Sequence, residues 1–228
     1  MVTFQAEITP QLINSFEALF SVQLTDENNR VRDVLSQLDA QLFKSYTKPH
    51  AAKIHATIED GIFSPTWAPS PGASVDGQRK GVADRDPSSF VTVVLMDLVA
   101  VHAEASTTSN PLTPRILRGL FEATTQSLIT TFRSERIPQI SLPQLMQATL
   151  DVEFMAQTLA SYTTDAASQV QTDIYQVLDA KTDNAARVRL QDELGSLRST
   201  LKRLREGTKV QYACFRRVKR GEGERARA

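Results

Sequence analysis

The chain has 228 residues, 41% of them hydrophobic, which suits one compact domain or two small ones. Its formal charge is zero, yet residues 202–227 hold ten basic side chains against three acidic ones, so an acidic body ends in a basic tail. Cys214 is the only cysteine, which excludes an internal disulfide and fits a reducing compartment, and the opening MVTFQAEITP lacks the basic start and long apolar core of a secretion signal.

Residues 2–22 read as a first helix, with Pro10 as a break or start and Ile13, Phe16, Leu19 and Phe20 on one face. A second helix is predicted over 26–46, with Val31, Val34, Leu35, Leu38, Leu42 and Phe43 as its apolar stripe and Thr25 or Asp26 as its cap. Pro49 is expected to end it, or to open a short helix closing near Ile62.

Residues 63–88 break the pattern. Four prolines, Pro87 among them, and three glycines sit among polar side chains, which predicts a flexible loop or linker. The expected division is a helical segment over 1–62, the loop over 63–88, a helical bundle over 89–217 and a disordered basic tail over 218–228.

Asp86-Pro87 is the expected opening of the next helix, the aspartate capping and the proline at the first helical position. Thr113-Pro114 repeats the device before a helix over 114–133 with Leu117, Leu120, Phe121, Leu128 and Phe132 inward. Ser141 with Gln144 fits a capping box, and Val152, Met155, Leu159 and Tyr162 continue at helical steps. A short helix follows at 165–179. The last helix is expected to start near Asp183 and reach Arg217, with Gly207 as a kink. Its Leu190, Leu194, Leu197, Leu201 and Leu204 step by four, three, four and three, the spacing of a packing seam. No stretch alternates as a half-buried strand does. The fold class is therefore all-α, in stacked helical bundles.

The most apolar stretch is FVTVVLMDLVAVHAEAS, residues 90–106. Its most apolar part, Phe90 to Val101, is too short to span a bilayer: twelve residues of helix cover roughly 18 Å against a hydrocarbon core of about 30 Å. Asp97 lies inside the run. A helix surrounded by partners in a bundle is the better reading, with His102 directed back toward Leu95 and Leu98 rather than joined to Glu104 at a metal.

No catalytic, cofactor or metal residue set emerges. SPGASVDGQRKG lacks the lysine-serine/threonine ending of a phosphate loop, and SVDGQ lacks the glycines of a nucleophile elbow. His50 and His55 diverge on a helix without further ligands nearby. Asp151 and Glu153 point to different faces and are expected to be solvated or salt-bridged. Cys214 is expected to be a packed thiol. Arg216, Arg217, Lys219 and Arg220 are the candidate contacts to a protein or an acidic lipid surface. Two other readings stay open: a basic-tailed helical protein associated with nucleic acid, and a metal-dependent helical-bundle enzyme.

LMDLVAVHAEAS (95–106) closely resembles a signature near the carboxyl end of the exocyst complex component 2, or Sec-five, family of exocyst subunits. PLTPRILRGLFEATTQSLITTFR (111–133), SLPQLMQATLDVEFMAQTLASYTT (141–164) and LRSTLKRLREGTKVQYACFRR (197–217) resemble the segments that follow it, in order. The resemblance implies a rod-like, non-enzymatic helical subunit of an eight-subunit complex. That complex tethers secretory vesicles at the plasma membrane before SNARE-mediated fusion. It also implies other exocyst subunits as partners, indirect links to small GTPases, no cofactor, no specific nucleic acid, and a cytoplasmic location peripheral to sites of polarised secretion. Such proteins are much longer and, in animals, carry an amino-terminal Ral-binding domain that nothing here resembles. The expectation is thus a carboxyl-terminal piece or a truncated gene model.

Overall fold

The computed structural model describes residues 9–20, 25–67 and 85–216. Residues 1–8, 21–24, 68–84 and 217–228 lie outside the described residues, and with them the middle of the predicted loop and the whole predicted tail. The described residues are helical without a strand, which makes the chain an all-α helical bundle. It divides into two compact units, Met1–His50 and Ala51–Ala228.

The first unit holds α1 (Thr9–Phe20) and the opening of α2 (Thr25–Phe63). In α1, Leu12, Phe16 and Leu19 share a face and are all exposed. In α2, Val31, Val34, Leu38 and Leu42 are exposed, while Leu35 and Phe43 are half-buried. Helix α2 does not stop at Pro49 as predicted; it runs through it to Phe63. A proline in a helix interior forfeits one backbone hydrogen bond and crowds the preceding turn. On the far side of Pro49, Ile54, Ile58 and Ile62 are buried at helical spacing, and their burial offsets that cost. The boundary between the two units falls one residue after Pro49.

The second unit contains the rest of α2, then α3 (Ser89–Ser109), α4 (Thr113–Arg133), α5 (Leu142–Thr158), α6 (Asp165–Ala180) and α7 (Asn184–Gly207). Helix α4 packs on α6 and α5 on α7, while α3 lies against α4 and α5. At the start of α3, Phe90 presses on Gly61 of α2 so closely that no side chain fits there.

Helix α3 buries Phe90, Val91, Val94, Leu95, Leu98, Val101 and Ala105. The sequence predicted a helix enclosed on all sides. Instead Val93 and Met96 are exposed on its outer face, where Asp97 pairs with Lys53 at 2.7 Å. By length and hydropathy alone the stretch Ser89–Arg133 passes as a membrane span, but its inner face is the core of the bundle. The enclosed helix is α5, in which every residue from Leu145 to Val152 is buried.

The helix ends explain the connections. Ser141 donates its N–H and hydroxyl to Gln144 Oε1 at 2.9 and 2.8 Å, at the predicted capping box. Thr164 accepts from the Ala167 N–H, and Asp183 from the Ala186 N–H at 2.7 Å. Thr113 does not cap α4: Leu112 takes that position at the end of a short 3₁₀ turn, Asn110–Leu112. Between α4 and α5, the Lys181 ammonium donates to the carbonyls of Ser134 and Ile137 at 2.9 and 2.7 Å. The Ile140 N–H donates to the Lys181 carbonyl, closing that loop onto the end of α6.

The last helix is shorter than predicted. It ends at Gly207, and the chain turns back through 208–212 into a 3₁₀ turn at Ala213–Phe215. A helix continuing to Arg217 would carry Tyr212 and Phe215 away from the bundle. The turn buries both rings, at 5% and 1% exposure.

Candidate functional site

Helix α7 and the turn that follows it carry most of the residues singled out from the sequence. Leu197, Leu201 and Leu204 are buried on the side packed against α5. Leu190 is half-buried and Leu194 is 37% exposed, so the seam loosens toward the start of the helix. Arg216 is exposed just after Phe215. Arg217, Lys219 and Arg220 lie outside the described residues.

Phe215 is the centre of an aromatic group. Its ring lies 6.1 Å from Tyr162 and 6.2 Å from His102, both edge-on, and 6.4 Å from Tyr212, stacked. His102 is half-buried and packs on an aromatic edge. Among the described residues no group of three histidines, cysteines or carboxylates is placed to hold a metal. His55 faces Glu59 at 3.8 Å, and His50 stacks obliquely on Tyr46. Cys214 is half-buried, and burial pushes its thiol above the ordinary range, the opposite of an activated nucleophile.

Asp151 corrects the sequence reading most clearly. It was expected in solvent or in a salt bridge; it is 1% exposed. One carboxylate oxygen accepts the Ser88 N–H at 2.8 Å and the Gln147 amide at 3.0 Å, and the other accepts the Ser88 hydroxyl at 2.5 Å. The residue therefore serves the start of α3, and the helix begins at Ser89 instead of Pro87. Asp86 is displaced from the capping role and accepts, through its backbone carbonyl, from Gln147. Arg85 donates to the Pro143 carbonyl, and Arg203 of α7 donates to the Arg85 carbonyl, both at 3.0 Å. Trp67, 7% exposed, brings its indole N–H beside the carboxylate without closing a hydrogen bond.

Burial drives the Asp151 carboxyl up to about 6, against the pull of the Ser88 N–H, the Ser88 hydroxyl and Gln147. The only signal in the sequence was an acid inside a largely apolar run, MQATLDVEF, with Gln147 one turn earlier. Its neighbour Glu153 accepts from the Tyr175 hydroxyl at 2.6 Å and from Gln157, and is half-buried.

The described groups thus support packing and capping and assemble no nucleophile, base and acceptor set. The class that this fold defines is the all-α helical bundle. The particular family follows from comparison. The family described as exocyst complex component Sec5 matches residues 2–215, and the chain belongs to that family. The chain is similar to exocyst complex component 2 of Mus musculus, 26% identical over 181 residues, and to exocyst complex component 2 of Homo sapiens, 24% identical over 181 residues. Each alignment covers 79% of this chain and 18% of the relative, so the chain matches less than a fifth of those proteins. No solved structure matches it.

Proposed function

We propose that the chain acts as a non-enzymatic part of an exocyst subunit, helping to tether secretory vesicles at the plasma membrane before SNARE-mediated fusion. The observation that carries this reading is the Sec5 family match across residues 2–215. The helical bundle supports it. Stacked helices give a stiff body, and docking through several faces makes individually weak contacts persistent by raising effective concentration.

The partners in this reading are other exocyst subunits, with small GTPases connected through them. The location is cytoplasmic and peripheral to sites of polarised secretion. Leu190, Leu194, Leu197, Leu201 and Leu204 serve as packing residues, and Arg216, Arg217, Lys219 and Arg220 as surface contacts.

The test is affinity capture of the tagged chain from cells, with the bound proteins identified by mass spectrometry. Recovery of other exocyst subunits supports the reading. A folded chain that recovers none of them, while full-length relatives do, refutes a direct assembly role for this part.

A further inference from the structure

We infer that the basic flank of α7, formed by Arg198, Lys202, Arg205 and Lys209, is a docking face for an anionic lipid bilayer. The inference stands apart from the family assignment, because it rests on charge and exposure alone.

Arg198, Lys202 and Arg205 are spaced four and three residues apart, which places them on one side of the helix over roughly 10 Å, and Lys209 follows four residues on. Lys209 lies past the end of α7. There its N–H bonds to the Glu206 carbonyl, three residues back, so Lys209 stands in the turn at the end of the flank rather than on the helix itself. All four side chains are exposed. None of them is in an ion pair among the described residues; Arg205 makes one long hydrogen bond, 3.5 Å to Gln157. Glu206, four residues after Lys202, is the nearest carboxylate along this part of the helix; it borders the flank, roughly 70° round from its centre. The other arginine here, Arg203, is turned away toward Asp86 at 3.5 Å.

A second observation separates a bilayer from other anionic partners. The flank ends at an exposed apolar group. Val210, beside Lys209, is 89% exposed, and the next residue, Gln211, touches Met96 Sδ at 3.3 Å. Met96 and Val93 are 43% and 46% exposed. Cations leading to small aliphatic side chains match the two attractions of an interfacial surface, charge toward acidic headgroups and apolar contact below them. Interfaces between proteins are anchored at their centre by Trp, Tyr or Arg side chains set in well-packed pockets. Among the described residues of the second unit, no exposed large apolar side chain is aromatic. A nucleic-acid backbone would be met by the cations alone and would leave the exposed Val210, Met96 and Val93 without a counterpart.

The experiment mixes the full chain with phosphatidylcholine vesicles, with and without phosphatidylserine, and measures co-sedimentation at low and raised salt. Binding is expected only with phosphatidylserine, falling as salt rises. Combining Arg198→Glu, Lys202→Glu, Arg205→Glu and Lys209→Glu should weaken it by at least ~100-fold, at about fivefold per cation lost. The milder pair Arg198→Gln and Lys202→Gln, checked by circular dichroism, should weaken it by roughly tenfold or more. Val210→Ser should weaken it without changing the salt dependence. No binding to phosphatidylserine vesicles would overturn the inference. So would full binding by the folded Arg198→Gln, Lys202→Gln variant with loss confined to Arg217→Gln, Lys219→Gln and Arg220→Gln. Retention on polyglutamate without vesicle binding would overturn it in favour of an acidic protein.

Discussion

The buried carboxylate of Asp151, in the middle of α5, holds the backbone N–H of Ser88 at 2.8 Å, at the first turn of α3. A helix start exposes N–H groups that need acceptors, and it favours negative charge. Here the acceptor comes from 63 residues along the chain. The same carboxylate holds Gln147 and lies beside Trp67. Trp67 and Arg85, the described residues on either side of 68–84, therefore both come to rest around α5.

This arrangement predicts a pH dependence with a definite sign. The folded carboxyl sits at about 6 and its ordinary value is 3.8, so between those values the folded state holds a proton that the unfolded state has lost. The group's contribution is most favourable below about pH 4, declines as pH rises through 6, and is flat above. Arg85, whose guanidinium feels the charges of Asp151 and Glu193, remains in the variant, as does Glu193. Asp151→Asn keeps the shape and two acceptor bonds without the charge. Its stability relative to the parent should therefore grow from near zero at pH 4 to about 3 kcal/mol above pH 6, read from urea unfolding. Asp151→Ala removes the acceptors as well and should be less stable than the parent by about 2–4 kcal/mol at pH 4. A parent–Asn difference that does not vary with pH would contradict this account.

Gly61 and Gly195 are both helical glycines, and they should respond oppositely to alanine. A Cβ at Gly61 would stand 2.5 Å from Phe90 Cβ, an atom fixed to its own backbone. Gly61→Ala should cost about 1–3 kcal/mol through overpacking, outweighing the gain in helix propensity. A Cβ at Gly195 meets nothing within 4 Å, so Gly195→Ala should stabilise by about 0.5–1 kcal/mol. Thermal unfolding of the two variants distinguishes them by the direction of the shift.

The seam of α7 makes a graded prediction. Leu201 is 4% exposed and Leu194 is 37% exposed, although both occupy the same heptad-like run. Leu201→Ala should cost about 2–5 kcal/mol and Leu194→Ala under about 1 kcal/mol, measured by urea denaturation. Equal losses would mean that the two leucines are buried alike in solution.

These contrasts also show where the sequence was legible. Local signals were read well: Ser141 with Gln144, Asp183 before α7, and the inward set Leu117, Leu120, Phe121, Leu128 and Phe132 all depend on neighbours within a few turns. What escaped depends on distant partners. Ser88 displaces Asp86 as the start of α3 only because Asp151 arrives from α5. Pro49 stays helical because apolar burial beyond it outweighs a local cost. The basic flank of α7 repeats the spacing of the leucine seam one residue further on, but which of these cations stay out of ion pairs is decided by distant groups such as Asp86, which takes Arg203.

Phe215 carries the last prediction, because it decides where the chain goes after α7. The backbone bonds there are turn bonds, among them Tyr212 N–H to the Thr208 carbonyl and Phe215 N–H to the Tyr212 carbonyl, at 3.1 and 3.2 Å. Such short turns are weak alone, so the fold-back depends on burying the ring against Tyr212, Tyr162 and His102. Phe215→Ala should cost about 3–5 kcal/mol, and Phe215→Leu distinctly less, since leucine refills most of the volume without the edge-on ring contacts. Amide exchange gives the more local test. In the alanine variant, protection at Tyr212 and Phe215 should fall while that of α4 and α5 persists under native conditions. Uniform loss across all helices would show instead that the aromatic turn unfolds only with the whole bundle.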